Sequence, residues 1–196
     1  GRNGKSLWPW EWAWENYSRL INGYTTEGGR VFRPVPFGWM FLNTIVVGLL
    51  TTTGTVITVI LAAFAFARLN FKGKEALFMI MLATMMIPGE VFVISNYMTI
   101  SRFGWIRSTS WIENTAALVV PFITSVFYIF FLRQTFKQIP NELYLAAKVD
   151  GTSDFKYLFK VMIPMSQATI TTIIILSMIG SWNAFVWPSL VTDPQN

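Results

Sequence analysis

Residues 139–164 read IPNELYLAAKVDGTSDFKYLFKVMIP, a polar and basic segment between two long apolar stretches. The pattern predicts a helix, a turn and a second helix. Pro140 suits the first turn of a helix, where its missing N–H costs nothing, and Asn141 to Val149 can follow as helix. Asp150-Gly151 is a stop-and-turn pair. Thr152 or Ser153 can cap the second helix, with Asp154 favourable in its first turn. Phe155, Leu158, Phe159 and Met162 recur at helical spacing, an apolar stripe that packs the second helix against a neighbour. Ala146 and Ala147 form a small-residue surface that another chain can approach closely. Pattern alone leaves a second reading open, an amphipathic helix at the headgroup surface held by Lys148, Lys156 and Lys160.

The flanking stretches set the class. The chain has 196 residues, of which 53% are hydrophobic and only 13% charged. A soluble domain carries about a quarter of its residues charged. The charges are clustered, which leaves windows long enough to cross a bilayer and predicts a polytopic α-helical membrane protein. The absence of Cys and His excludes disulfides, thiol nucleophiles, Ser-His catalysis and the usual zinc ligand sets. The net charge of +5 is read as topogenic Lys and Arg in membrane loops, so no nucleic-acid partner is expected. Residues 1–36 lack the apolar core of a signal peptide.

Spans are predicted at about 37–67, 76–100, 115–132 and 161–182, with a loop at 133–160 and an aromatic-rich segment, 1–36, ahead of them. Pro88-Gly89 is expected to kink the second span, and the end of the chain, WNAFVWPSLVTDPQN (182–196), leaves no room for another helix. Arg68, Lys72, Lys74, Arg133, Lys137, Lys148, Lys156 and Lys160 fall on one side of this arrangement. That side is expected to be cytoplasmic. WPWEWAW (8–14) then suits the outer interface. An exported first segment without a preceding span implies a further transmembrane helix upstream, and the natural protein is expected to extend past Asn196 as well.

The loop resembles the hallmark of the permease subunits of bacterial binding-protein-dependent ABC importers: Glu-Ala-Ala, three residues, Gly, nine residues, Ile-x-Leu-Pro. Here Ala146-Ala147 is followed after three residues by Gly151 and after nine more by Val161-Met162-Ile163-Pro164. Leu145 stands where that family has its acidic residue. NYSRL (16–20), Asn43-Thr44, AFAFARLNFKGKEALF (63–78), TMMIPGEVFVI (84–94), FLRQTFKQIPNEL (131–143) and SWNAFVWP (181–188) are similar to the carbohydrate-uptake branch, most of all to relatives of the smaller maltose permease.

The resemblance implies an all-α bundle of the type I importer permease kind, in a bacterial inner membrane, with a cytoplasmic helix–turn–helix coupling loop. It implies a homologous second permease, two cytoplasmic ATPase subunits and an extracytoplasmic sugar-binding protein as partners. ATP and Mg would be bound by the ATPases, and this chain would be no enzyme and hold no cofactor or metal. The loop residues it marks for ATPase coupling are Glu142, Ala146, Ala147, Asp150, Gly151, Val161, Ile163 and Pro164. The Ala pair would allow close docking, Gly151 and Asp150 would form the turn, and Pro164 would set the approach to the next span.

Polar groups at membrane depth are costly and tend to face an interior or a water path. That rule selects Asn43, Glu90, Asn96, Tyr97, Trp182 and Asn183 as candidate pathway-lining residues. Glu90 reads equally as a structural carboxylate serving backbone freed by Pro88. Trp182 and Trp187 suit either an outer vestibule or interfacial anchors. Gly4-Lys5-Ser6 matches the end of a phosphate-binding loop, but LWPWEW follows where a regular helix is needed. An ion-coupled secondary transporter, or a membrane scaffold that recruits a soluble partner, are competing readings. Glu90 with Pro88-Gly89 supplies only one of the repeated broken-helix sites the former needs.

Overall fold

The structure is a computed structural model and describes residues 14–26, 28, 29, 31, 32 and 34–192. WPWEWAW lies outside these residues except for Trp14, and so does Gly4-Lys5-Ser6. The chain divides into two compact units, 1–44 and 45–196. In the first, α1 (Trp14–Asn22) carries an exposed Glu15–Arg19 pair at 3.5 Å. A short antiparallel ribbon of β1 (Tyr24–Thr25) and β2 (Val31–Phe32) follows, with the rings of Tyr24 and Phe32 stacked at 4.8 Å.

Helix α2 (Phe37–Arg68) starts in the first unit and runs into the second. It is the one helix among the described residues that is long and apolar enough to span a bilayer unbroken. Its buried residues Gly48, Thr51, Thr52, Thr55, Val59 and Ala63 recur at helical spacing, whereas Leu49, Leu50, Ile57 and Leu61 are exposed. Small and hydroxyl residues inside with large aliphatic ones outside is the arrangement a lipid-facing helix requires, because lipid solvates Leu as well as protein does.

The other three predicted spans are bent. Helices α3 (Lys74–Ala83) and α4 (Gly89–Arg102), with a 3₁₀ turn at Thr84–Met86, meet at 99° around Pro88. The stretch 76–100, expected as one kinked span, is thus a sharply broken pair. Helices α5 (Trp111–Val119) and α6 (Val126–Gln138) meet at 53° beyond a 3₁₀ turn at Val120–Phe122 that contains Pro121. After α7 (Asn141–Val149) comes α8 (Asp154–Tyr157), a π turn at Leu158–Met162 and α9 (Ile163–Met165). This run meets α10 (Gln167–Trp182) at 80°. The segment expected at 161–182 therefore straightens only from Gln167. The bend falls at Ser166, with φ −110° and ψ 15°, whereas the missing N–H and ring of Pro164 act upstream and account for the wider turn at 158–162. Contrary to expectation, the last described stretch does hold a further helix, the short α11 (Val186–Val191).

Breaking a helix in a bilayer frees carbonyls, and Thr side chains re-satisfy them here. Thr55 Oγ1 donates to the Phe122 carbonyl at 3.0 Å, and Thr58 Oγ1 donates to the Ile123 carbonyl. Gly54 sits between these threonines; a Cβ there would lie 2.9 Å from Ile123 Cγ2, so Gly lets α2 close on the break. The main core joins Val59, Ala63 and Phe64 of α2 to Ile129, Leu132 and Phe136 of α6, with Tyr157, Leu158, Met162, Ile170 and Ile173. A second cluster holds Ile100, Ala117, Trp187 and Val191.

Candidate functional site

The loop closes α7 with a Schellman motif. The Thr152 N–H donates to the Ala147 carbonyl at 2.8 Å, and the Gly151 N–H to the Lys148 carbonyl at 3.1 Å. This pair of bonds requires a left-handed residue after the C-cap, and Gly151 has φ +71°. Asp150 is the C-cap and its side chain is exposed. Pro140 stands one place earlier than expected, as the N-cap of α7. Ser153 caps α8 through the Lys156 N–H at 3.4 Å.

Across the turn, Asp154 binds two side chains that lie one turn apart on the same face of α7. Its Oδ1 lies 2.7 Å from Lys148 Nζ and accepts the Tyr144 hydroxyl at 2.8 Å. The rings of Tyr144 and Tyr157 meet edge to face at 5.2 Å. The Lys148 bond, then the Tyr144 bond, hold the Asp154 carboxyl below its ordinary range. The bond to Asp154 raises Lys148, and desolvation, then the bond to Asp154, raises Tyr144.

The two faces of the loop differ from the sequence expectation. Tyr157, Leu158 and Met162 are buried, with Tyr144, Ala147, Val161 and Ile163 packed against them. Phe155 and Phe159 are 66% and 62% exposed. The anticipated stripe is split because the core takes an arc centred on Tyr157, Leu158, Val161 and Met162. The π turn at 158–162 widens the separation. Ala147 packs inward while Ala146 faces out, so the pair does not form one surface. The exposed face of the loop carries Leu145, Val149, Phe155 and Phe159, with Val149 87% exposed. Glu142 and Pro164 are exposed too. Sequence reasoning missed Val149. Its signal was an apolar residue next to a turn, one helical turn after Leu145 on α7.

A cavity of about 380 Å³ opens in the second unit between α2, the α5–α6 break, α10 and α11. Thr51, Thr55, Ser125, Tyr128, Ser177 and Trp187 are among its lining residues, and no charged side chain is. The Thr51 hydroxyl is buried without a hydrogen-bond partner. Glu90, Asn96, Tyr97, Trp182 and Asn183 do not line this cavity. Glu90 is exposed in the first turn of α4, where a carboxylate suits the helix dipole. Asn96 is half-buried on α4 and Tyr97 exposed. Trp182 is exposed at the end of α10, and Asn183 is its C-cap, donating to the Ile179 carbonyl at 2.9 Å. Asn43 lies on α2 in the first unit, half-buried. Trp187, one of the cavity's lining residues, is only 6% exposed. It donates to the Ala117 carbonyl at 3.0 Å and sets its ring edge against Phe122.

Comparison with known proteins agrees with this architecture. The chain is 32% identical over 179 residues to the arabinooligosaccharides transport system permease protein AraQ of Bacillus subtilis, covering 91% of this chain and 58% of that one. It is 30% identical over 161 residues to the sn-glycerol-3-phosphate transport system permease protein UgpE of Pectobacterium atrosepticum, covering 82% and 55%. The chain thus spans little more than half the length of these relatives. Its fold matches, with a TM-score of 0.69 and 22% identity, a chain in the crystal structure of a bacterial ABC transporter involved in the import of the acidic polysaccharide alginate. The match covers 91% of this chain and 67% of that one. Residues 54–195 match the family model of the binding-protein-dependent transport system inner membrane component. With that match over most of its length, the chain belongs to the binding-protein-dependent transport system inner membrane component family.

Proposed function

We propose that the chain is part of a permease subunit of an ATP-driven importer for a sugar or sugar derivative, and that the α7–α8 part of the loop expected at 133–160, which begins only after α6 ends at Gln138, docks on a cytoplasmic ATPase. The observation that carries the reading is the exposed apolar face of Leu145, Val149, Phe155 and Phe159 on a helix–turn–helix held rigid by its own bonds. Large apolar side chains cost solvation energy in water, so four of them exposed on one short loop call for a protein partner. The Gly151 motif and the Asp154 links keep α7 and α8 in one geometry, as a lever requires.

In this reading a homologous permease completes the pathway, two ATPases bind ATP and Mg, and an external binding protein delivers the sugar. Ala146, Val149 and Phe155 contact the ATPase, whereas Ala147, Val161 and Ile163 fasten the loop to the membrane helices. ATP binding and hydrolysis bias a two-state rigid-body switch from one side, and the loaded binding protein biases it from the other. The relatives' substrates, an arabinooligosaccharide and sn-glycerol-3-phosphate, mark the chemical range.

Reconstitution of the full transporter in proteoliposomes tests this. Uptake should require ATP and rise when the loaded binding protein is added. Flux driven by a proton or sodium gradient without ATP would refute it.

A further inference from the structure

Two arginines that the sequence reading treated only as topogenic charges are buried where helix ends meet. Arg68, in the last turn of α2, is 8% exposed, and Arg133, on α6, is 3% exposed. Arg68 Nη2 donates to the Phe136 carbonyl at 2.9 Å and to the carbonyl of Ile139, the C-cap of α6. Its Nη1 donates to Oδ1 of Asn141, the first residue of α7, at 3.3 Å. Arg133 runs the opposite way. Its Nε donates to the Phe66 carbonyl in the last turn of α2 at 3.1 Å. Its Nη2 holds both carboxylate oxygens of Glu75 on α3 at 3.1 Å, and its guanidinium lies 3.7 Å from the centre of the Phe78 ring.

Each helix therefore lends an arginine to the other's C-terminus. The last carbonyls of a helix lack intrahelical donors and carry partial negative charge. A planar guanidinium meets several of them at once and stays charged when buried. Arg68 has no carboxylate within ion-pair distance among the described residues, so the α6 carbonyls and Asn141 are what compensate its charge.

We propose that this exchange locks the ends of α2, α3 and α6 and the start of α7 into one block, and that Arg68 is the positioning residue through which a displacement of α7 reaches α2. The proposal rests on the importer reading. Chain connectivity joins α7 only to α6 and α8, whereas Arg68 and Asn141 are 73 residues apart in sequence. Arg68 supplies the direct polar link from the docking loop to the longest membrane helix.

The test uses the complete importer with its partner permease, ATPases and binding protein, and reads substrate molecules moved per ATP hydrolysed. Arg68→Lys keeps the charge but loses the fork, and the ratio should fall about tenfold while the ATPases still co-purify. Asn141→Ala leaves the Arg68 bonds to α6 in place and should lower the same ratio by about threefold with Tm unchanged. A merely structural Arg68 would reduce the yield and Tm of the complex and leave the ratio alone, and that result overturns the proposal. If Arg68→Lys fails to assemble, Asn141→Ala decides: a wild-type ratio overturns the proposal, and a lowered one supports it. A wild-type complex that couples, with variants that couple equally well, refutes the arginine link and leaves the importer reading standing. A wild-type complex with no ATP-dependent uptake refutes both.

Discussion

Lys148 Nζ and Asp154 Oδ1 lie 2.7 Å apart, so an ion pair straddles the Gly151 turn and fastens α7 to α8. Both groups are partly solvated, and their worth is orientation of the loop more than stability. The Asp154 carboxyl is held low, first by Lys148 and then by Tyr144. A depressed carboxyl contributes stability above its unfolded value, about 3.9, and loses it as pH falls through the lower folded value. Lys148 is raised, first by the bond to Asp154. Its contribution is complete below the unfolded value of about 10.4 and disappears as pH rises through the higher folded one. The α7–α8 link should therefore be flat across neutral pH and fail only in strong acid or strong base. Hydrogen exchange of residues 144–158, corrected for the intrinsic pH effect, should show this plateau. Asp154→Asn should remove the acid transition.

Gly151 isolates the backbone requirement of the turn. Nothing lies within 4 Å of a Cβ built there, so φ +71°, and not space within the chain, is what asks for glycine. A left-handed conformation costs a non-glycine residue about 1–2 kcal/mol, less for Asn and more for a β-branched side chain. Gly151→Val should lower transport per ATP while membrane insertion persists, and Gly151→Asn should stay near wild type. Paired uptake and ATPase assays would show the order, and equal activity of the two variants would remove the argument.

The exposed loop face predicts a separation of binding from stability. Phe159→Asp should weaken co-purification of the ATPase with little change in Tm, because Phe159 is already 62% exposed. Leu158→Ala, one residue earlier and fully buried, should cost about 2–5 kcal/mol through lost burial and the cavity left behind. Thermal unfolding in detergent beside pull-down yield would resolve the pair.

Thr55 and Thr58 carry the break between α5 and α6. Thr55→Val keeps the shape but leaves the Phe122 carbonyl without its donor, at a cost of about 1 kcal/mol. Thr55→Ser should restore most of it. Melting temperatures of the two variants check this.

What the sequence displayed, and what it hid, divide by the range of the signal. The helix–turn–helix at 141–165 is legible because caps, glycine and helical spacing act within a few residues. So is a kink at Pro88, where the missing N–H and steric clash are local, although the 99° break found there is not. The burial of Arg68 and Arg133 is not legible, since each is defined by carbonyls more than sixty positions away. Phe155 and Phe159 read by periodicity as one packing stripe with Leu158 and Met162. Which arc of α8 faces inward depends on α7 folding back through Tyr144 and Ala147, and no spacing rule carries that. Trp187 looked interfacial for the same reason, as its acceptor lies on Ala117, 70 residues earlier.

The claim on which the rest depends is that the exposed face of α7 touches the ATPase. Residues 1–196 contain no cysteine, so in an assembled, membrane-embedded transporter cleared of other reactive thiols Val149→Cys offers a defined attachment point for a short cross-linker. The account predicts one dominant adduct with the ATPase subunit, with a yield that changes when ATP is bound. An adduct only with the external binding protein, labelling of the introduced thiol from the outer face of sealed vesicles, or no ATPase adduct in any nucleotide state would contradict it.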